Sequence, residues 1–252
     1  MLTKNKIKYI QSLQKKKQRE ESGCFAAEGN RLVEDLLTSC KCQSLVCTQE
    51  FLDQLSFTPE AEEIIITDKN SIEKLSIQKS AQHAIGVFYQ KKYTLKPEDL
   101  HGKLTLALDT VQDPGNLGTI IRIADWFGIE HIICSKETVD MYNSKTVQAT
   151  MGALGRIKVH YINLTDILGC VDLPVYGTFL DGTNLYNENI TSEGIIVMGN
   201  EGNGISSEIE ELVTKKLLIP GYPNEKPLCE SLNVGVATSI ICAEFRRQLT
   251  KK

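Results

Sequence analysis

Residues 195–209 read IIVMGNEGNGISSEI, and their reading decides the fold. Ile195, Ile196, Val197 and Met198 form a short, unbroken apolar run. Such a run, bounded by glycines, is a strand buried on both faces. It passes straight into Gly199-Asn200-Glu201-Gly202-Asn203-Gly204, and a helix opens at Ser206 or Ser207. Three glycines in six residues imply positive φ angles or close contact with a ligand. The loop is neither G-x-G-x-x-G nor a P-loop with its Lys-Ser/Thr. Glu201 would repel a phosphate, so it suits a hydrogen-bonding or orienting role.

Moving outward, the same pattern repeats. LTLAL (104–108), HIIC (131–134), RIKVH (156–160), VYGTF (175–179) and KLLI (216–219) are short, β-branched runs separated by helical patterns. Residues 233–248 form a clear C-terminal helix. This is an α/β region with a mostly parallel sheet, whose ligand belongs at the carboxyl ends of the strands.

Two more loops carry polar residues at such ends. In LALDTVQDPGNLGTIIRIADWFGI (106–129) a strand ends at Leu108, Pro114-Gly115-Asn116 make a polar turn, and a helix begins near Leu117. A helix N-terminus attracts anions, and Gly118 lets one approach. Arg122 interrupts the apolar stretch Ile120, Ile121, Ile123, Ala124. A guanidinium there is either paired, for instance to Asp125, or faces a site. In LLIPGYPNEKPLCESLNVGVATSIICAEF (217–245) a strand ends at Ile219-Pro220, and Ser231 fits the cap of the last helix. Gly235, Ala237 and Ser239 allow close packing on that helix.

The first ninety residues differ. CFAAE (24–28), SLVCT (44–48), EIIIT (63–67) and AIGVFYQ (84–90) read as strands, with helices over 5–18 and from Asn30. They predict a small α/β sandwich. The boundaries follow as residues 1–92, a polar linker at 93–103 containing Pro97 and Gly102, and residues 104–252.

With 41% apolar and 24% charged residues, the chain has the composition of a globular protein with a real core. It lacks an apolar run long enough for a membrane span, and its basic N-terminus lacks the apolar core of a secretory signal. Cytoplasmic residence is expected. Cysteines such as Cys134 and Cys242 lie within apolar runs and read as buried thiols. Cys40, Cys42 and Cys47 lack zinc-knuckle spacing, so no metal is expected. The net charge is −4, yet residues 1–19 hold seven basic side chains and no acidic one. A positive field concentrated at one end suits phosphate contacts, or simply a solvated helix face.

The ordered set N-L-G-T-I-I-R, M-G-N-E-G-N-G-I and I-P-G…S-L-N-V-G-V-A-T-S-I-I-C-A-E closely resembles the three signature motifs of the SpoU family of RNA 2′-O-ribose methyltransferases, within the SPOUT superfamily. More loosely, I-K-Y-I-Q-S-L-Q-K-K-K-Q-R…F-A-A-E-G-N-R-L-V is similar to that family's N-terminal substrate-binding domain, a small ribosomal-protein-like RNA-binding fold. The loop from Pro220 to Ser231 is longer than in many members.

The resemblance implies a trefoil-knotted methyltransferase domain, S-adenosyl-L-methionine as cofactor, and a homodimer. It assigns Arg122, Asn116, Glu201, Ser231 and Asn233 to catalysis. It assigns Thr178, Phe179, Leu180, Gly199, Asn200, Gly202, Ile219, Ser231 and Leu232 to the cofactor. Lys15, Lys16, Lys17, Arg19 and Arg31 would bind RNA, ribosomal RNA in preference to tRNA. A guanidinium is a poor base, so Arg122 is read as orienting the ribose and stabilising the developing alkoxide. Two rivals predict other sequences. A dinucleotide oxidoreductase needs G-x-G-x-x-G after the first strand, which is missing after Leu108. A non-catalytic RNA binder needs no complete set of five polar residues.

Overall fold

The computed structural model describes residues 2–78, 82–222 and 231–249. In chain order the first elements are α1 (Lys4–Ser12), α2 (Lys16–Ser22), β1 (Cys24–Glu28), α3 (Asn30–Leu37), β2 (Cys42–Cys47), α4 (Gln49–Gln54), β3 (Ala61–Ile66), α5 (Lys69–Leu75) and β4 (Ala84–Tyr89). There follow β5 (Leu104–Leu108), α6 (Pro114–Trp126), β6 (His131–Cys134), α7 (Ser144–Thr150), β7 (Lys158–Tyr161) and α8 (Leu164–Cys170). The chain continues through β8 (Val175–Asn184), β9 (Gly194–Met198), α9 (Ser207–Glu210), β10 (Lys215–Leu218) and α10 (Val234–Leu249). Contacts divide these into two compact units, residues 1–92 with 140–156, and residues 93–139 with 157–252.

The first unit has a four-stranded sheet in the order β1-β4-β2-β3, antiparallel except for β2–β3. Ile10, Leu13, Val46, Ile72 and Leu75 form its core with the strands. The segment expected as one helix over 5–18 is two helices. Leu13 ends α1, and Lys15 turns extended before α2. The break lets Arg19 enter the interior, where it is 2% exposed. Its Nη2 pairs with Asp140 at 2.6 Å, and its Nη1 donates to the carbonyls of Leu13 and Gln14. Arg19 is therefore not placed to contact RNA: its buried guanidinium is bound to Asp140 and two carbonyls inside the unit. Lys15, Lys16, Lys17 and Arg31 are exposed.

The second unit has a six-stranded parallel sheet in the order β10-β8-β9-β5-β6-β7. All five residues of β5 and of β9 are buried, as central strands covered on both faces require. Residues 93–103, read from sequence as a linker, belong to this unit. Leu100 is fully buried in its core and Leu95 packs against the same cluster. Glu130 takes bonds from Lys103 and Lys158, clipping the entries of β5, β6 and β7, and these bonds pull its pKa down to about 2. No helix among the described residues is long and apolar enough to cross a membrane.

Candidate active site

The three motif loops leave the carboxyl ends of β5, β9 and β10. The helix after β5 begins earlier than its glycine suggested. Pro114 is its first residue, and the Asp113 carboxylate caps it by accepting from Asn116 N–H at 2.9 Å. Proline at the first helical position costs no hydrogen bond, and such a cap is worth ~1 kcal/mol. Asn116 is thus fixed within the first turn.

The loop after β9 is a tight hairpin. Asn200 and Gly204 exchange two backbone hydrogen bonds of 2.8 and 3.0 Å. A side chain at Gly199 would place Cβ 2.2 Å from the Gly204 carbonyl carbon, so only glycine fits there. The Asn200 side chain serves this loop. Its Oδ1 accepts from the N–H groups of Gly202 and Asn203, and its Nδ2 donates to Thr110 O at 2.7 Å. Buried Asp109 adds a second tie, accepting from Ser206 N–H at 2.8 Å. Thr110 between them has φ 59, a left-handed conformation uncommon outside glycine.

These ties bring the motifs together. The Glu201 carboxylate accepts from Asn116 Nδ2 at 2.9 Å and from the N–H groups of Gln112 and Asp113. Asn116 Oδ1 accepts from Asn233 Nδ2 at 2.9 Å. Asn233 Oδ1 in turn accepts from Gly235 and Val236 N–H, capping α10. The cap expected at Ser231 is therefore held by Asn233, while Ser231 is exposed. Partial burial pushes the Glu201 pKa up, but the bonds from Asn116 and the backbone outweigh it and hold the carboxyl below its ordinary value. Glu201 is an acceptor at neutral pH, not an acid.

Arg122 lies six residues beyond Asn116. It is exposed, and no ion pair reaches it among the described residues. The alternative of a structural pair with Asp125 is not what the fold builds. With Thr119 and Trp126 it forms an exposed stripe along α6, Trp126 being 84% exposed.

The cofactor residues named from sequence fall on β8, β9, β10 and the loops that follow them. β10 pairs with Tyr176 and Gly177, then skips to Thr183 and Asn184, so the ladder bypasses Thr178–Gly182. Leu180 and Leu232 are largely exposed and Phe179 is half-buried. Backbone freed from its ladder beside apolar side chains fits S-adenosylmethionine, which has polar ends and a flat adenine. The long Pro220–Ser231 loop lies mostly outside the described residues, as does Cys229. The seven described cysteines are free thiols.

Sequence reasoning overlooked Asp109 and Asp113. Each had a signal: a carboxylate closing an apolar strand, and an aspartate directly before a helix-opening proline.

Comparison with known proteins agrees with this geometry. Residues 103–243 match the SpoU rRNA Methylase family, and residues 4–86 match the MRM3-like substrate binding domain. The 23S rRNA (guanosine(2553)-2′-O)-methyltransferase of Bacillus subtilis is 30% identical over 96% of both chains. Among solved structures, a TrmH-family protein from Porphyromonas gingivalis is 38% identical, with TM-score 0.84 over 98% of this chain and 99% of the other. The AdoMet-bound rRNA methyltransferase from Sinorhizobium meliloti is 30% identical, with TM-score 0.82 over 99% of this chain and 97% of the other. The fold and site define an RNA methyltransferase that uses S-adenosylmethionine. The chain belongs to the SpoU rRNA methylase family.

Proposed function

We propose that the chain methylates a ribose 2′-hydroxyl of large-subunit ribosomal RNA in the cytoplasm. The Bacillus relative acts on 23S rRNA, which supports that substrate over tRNA. The observation that carries the reading is the hydrogen-bonded chain Glu201–Asn116–Asn233, which joins all three motifs, with exposed Arg122 about two turns further along the same helix as Asn116.

S-adenosylmethionine supplies an already activated methyl group, so the protein's task is positioning and charge stabilisation. Ionised Glu201 fixes the Asn116 amide. Asn116 and Asn233 each keep one N–H outside the chain, and these two donors face the nucleotide. Arg122 holds the ribose and its phosphate and stabilises the oxyanion as the hydroxyl proton leaves to solvent water. Ser231 completes the polar frame. Thr178, Phe179, Leu180, Gly199, Asn200, Gly202, Ile219 and Leu232 hold the cofactor. Lys15, Lys16, Lys17 and Arg31 grip RNA phosphates.

The chain is knotted and dimeric in this reading. The close approach of β10 to the end of the bypassed segment supports the knot: a Cβ on Gly182 would lie 2.6 Å from the Leu217 carbonyl carbon. The exposed stripe Thr119-Arg122-Trp126 supports a dimer, because a tryptophan left in water marks an interface. Labelled methyl transfer to total RNA from a strain lacking the protein, fractionated by size, tests the activity. Label in large-subunit RNA, with one linkage made resistant to alkali, is expected. Label confined to tRNA would refute the substrate.

A further inference from the structure

The first unit contains a cavity of about 220 Å³ between α1, the outer edge of β1 and α7. β1 ends its sheet. Its register pairs Ala27 with Gly86, and Gly29 N–H reaches Ala84 O. Odd-numbered residues therefore spend their backbone groups on β4, while those of Cys24, Ala26 and Glu28 point outward. Part of that edge is already closed. Ser22 Oγ takes the Cys24 N–H, Gln90 Nε2 donates to the Cys24 carbonyl, and Gln78 Nε2 donates to the Glu28 carbonyl. Among the described residues, no partner meets the Ala26 N–H, the Ala26 carbonyl or the Glu28 N–H.

Ala26 and Glu28 line the cavity, whose other walls include Ile10, Leu13, Leu75 and Val147. Apolar walls around an adjacent acceptor and donor suit a flat ring with a hydrogen-bonding edge. At the mouth, Gln14 leads directly into exposed Lys15, Lys16 and Lys17. An added peptide strand would need the whole edge, and Ser22, Gln90 and Gln78 leave only its middle open.

We propose that this cavity receives one unpaired nucleobase of the RNA substrate. Its edge bonds to the Ala26 carbonyl and Glu28 N–H, and its flanking phosphates lie against Lys15–Lys17. The proposal rests on the RNA reading above and adds that recognition requires a single-stranded nucleotide away from the methylated one.

The test titrates the full-length, ¹⁵N-labelled protein with each of the four 5′-mononucleotides, and with ribose 5-phosphate as the base-free probe. Saturable shifts of the Ala26 and Glu28 amides with at least one mononucleotide, absent with ribose 5-phosphate, are expected. Ala26→Leu, which narrows the cavity, should weaken RNA binding about tenfold, in line with one lost base contact, with cofactor affinity unchanged. Gln148→Ala, an exposed change on the rim, gives a smaller loss in the same direction and stands in if Ala26→Leu fails to fold. Unshifted Ala26 and Glu28 amides, or RNA affinity untouched by the folded variants, would overturn the proposal. So would shifts given by an extended peptide and by no nucleotide. A wild-type protein that methylates no RNA but binds a mononucleotide at Ala26 would instead count against the activity.

Discussion

The N-terminal basic segment and the helix after β5 each carry an arginine, and the two have opposite fates. Arg19 sits in a run of lysines, where composition suggests a nucleic-acid contact, yet it is 2% exposed and bound to Asp140 and two carbonyls. Arg122 sits among isoleucines, where the sequence allows either a paired group or one that faces a site; it is exposed, and no ion pair reaches it among the described residues. Sequence neighbours mislead for Arg19 and leave Arg122 undecided. What decides is geometry: a helix break turns Arg19 inward, and the helical period carries Arg122 onto the outer face of α6.

Substitution at the two sites should separate these roles. Arg122→Ala should lower methyl transfer by about 10²–10³-fold, the scale of losing an oxyanion donor. Calorimetry should find cofactor affinity within a few-fold of wild type, and lost cofactor binding would break the assignment. Arg19→Met should do the reverse. Leaving the partly buried Asp140 without its partner costs about 1–3 kcal/mol in denaturant titrations, with RNA affinity of the folded protein intact. Lys16→Met, a surface change, should shift stability by under about 0.5 kcal/mol while weakening RNA binding. A stable Arg19→Met protein that loses RNA would erase the contrast.

Two smaller effects sharpen it. Trp126→Asp should shift sedimentation from dimer to monomer, and an unchanged profile would remove α6 from the interface. The stacked pair His131–His160 in the second unit gives a pH signature, with its rings 5.3 Å apart. Burial lowers both pKa values, that of His160 to about 4, with Glu130, Lys103, Lys158 and Asp99 nearby. Because the folded value lies below the ordinary 6.5, the stability is whole above pH 6.5 and is lost as pH falls towards 4. Melting temperatures should decline across that window, and His160→Asn should flatten the decline.

Much of this was legible beforehand. LTLAL and HIIC are strands to the residue, because continuous apolar runs with polar ends leave no other place to stop. The three motif loops do meet, and Asn116 bonds both Glu201 and Asn233. What escaped depended on distant partners. Pro114-Gly115-Asn116 read as a turn because the cap that makes it helical is a single aspartate. Residues 93–103 read as a linker because their polarity hides Leu100, whose burial depends on residues far along the chain. Ser231 lost the cap to Asn233, since both types cap equally well and only the path of the loop chooses between them.

The discontinuity of the first unit has a consequence for biosynthesis. Its residues 140–156 leave the ribosome only after β5, α6 and β6 have been made. Until then Arg19 has no Asp140 to meet, and the β1 edge lacks α7. The N-terminal unit, although translated first, must wait for the middle of the chain. A fragment cut after residue 92 would keep every strand of that sheet and still hold a charge with no counterion.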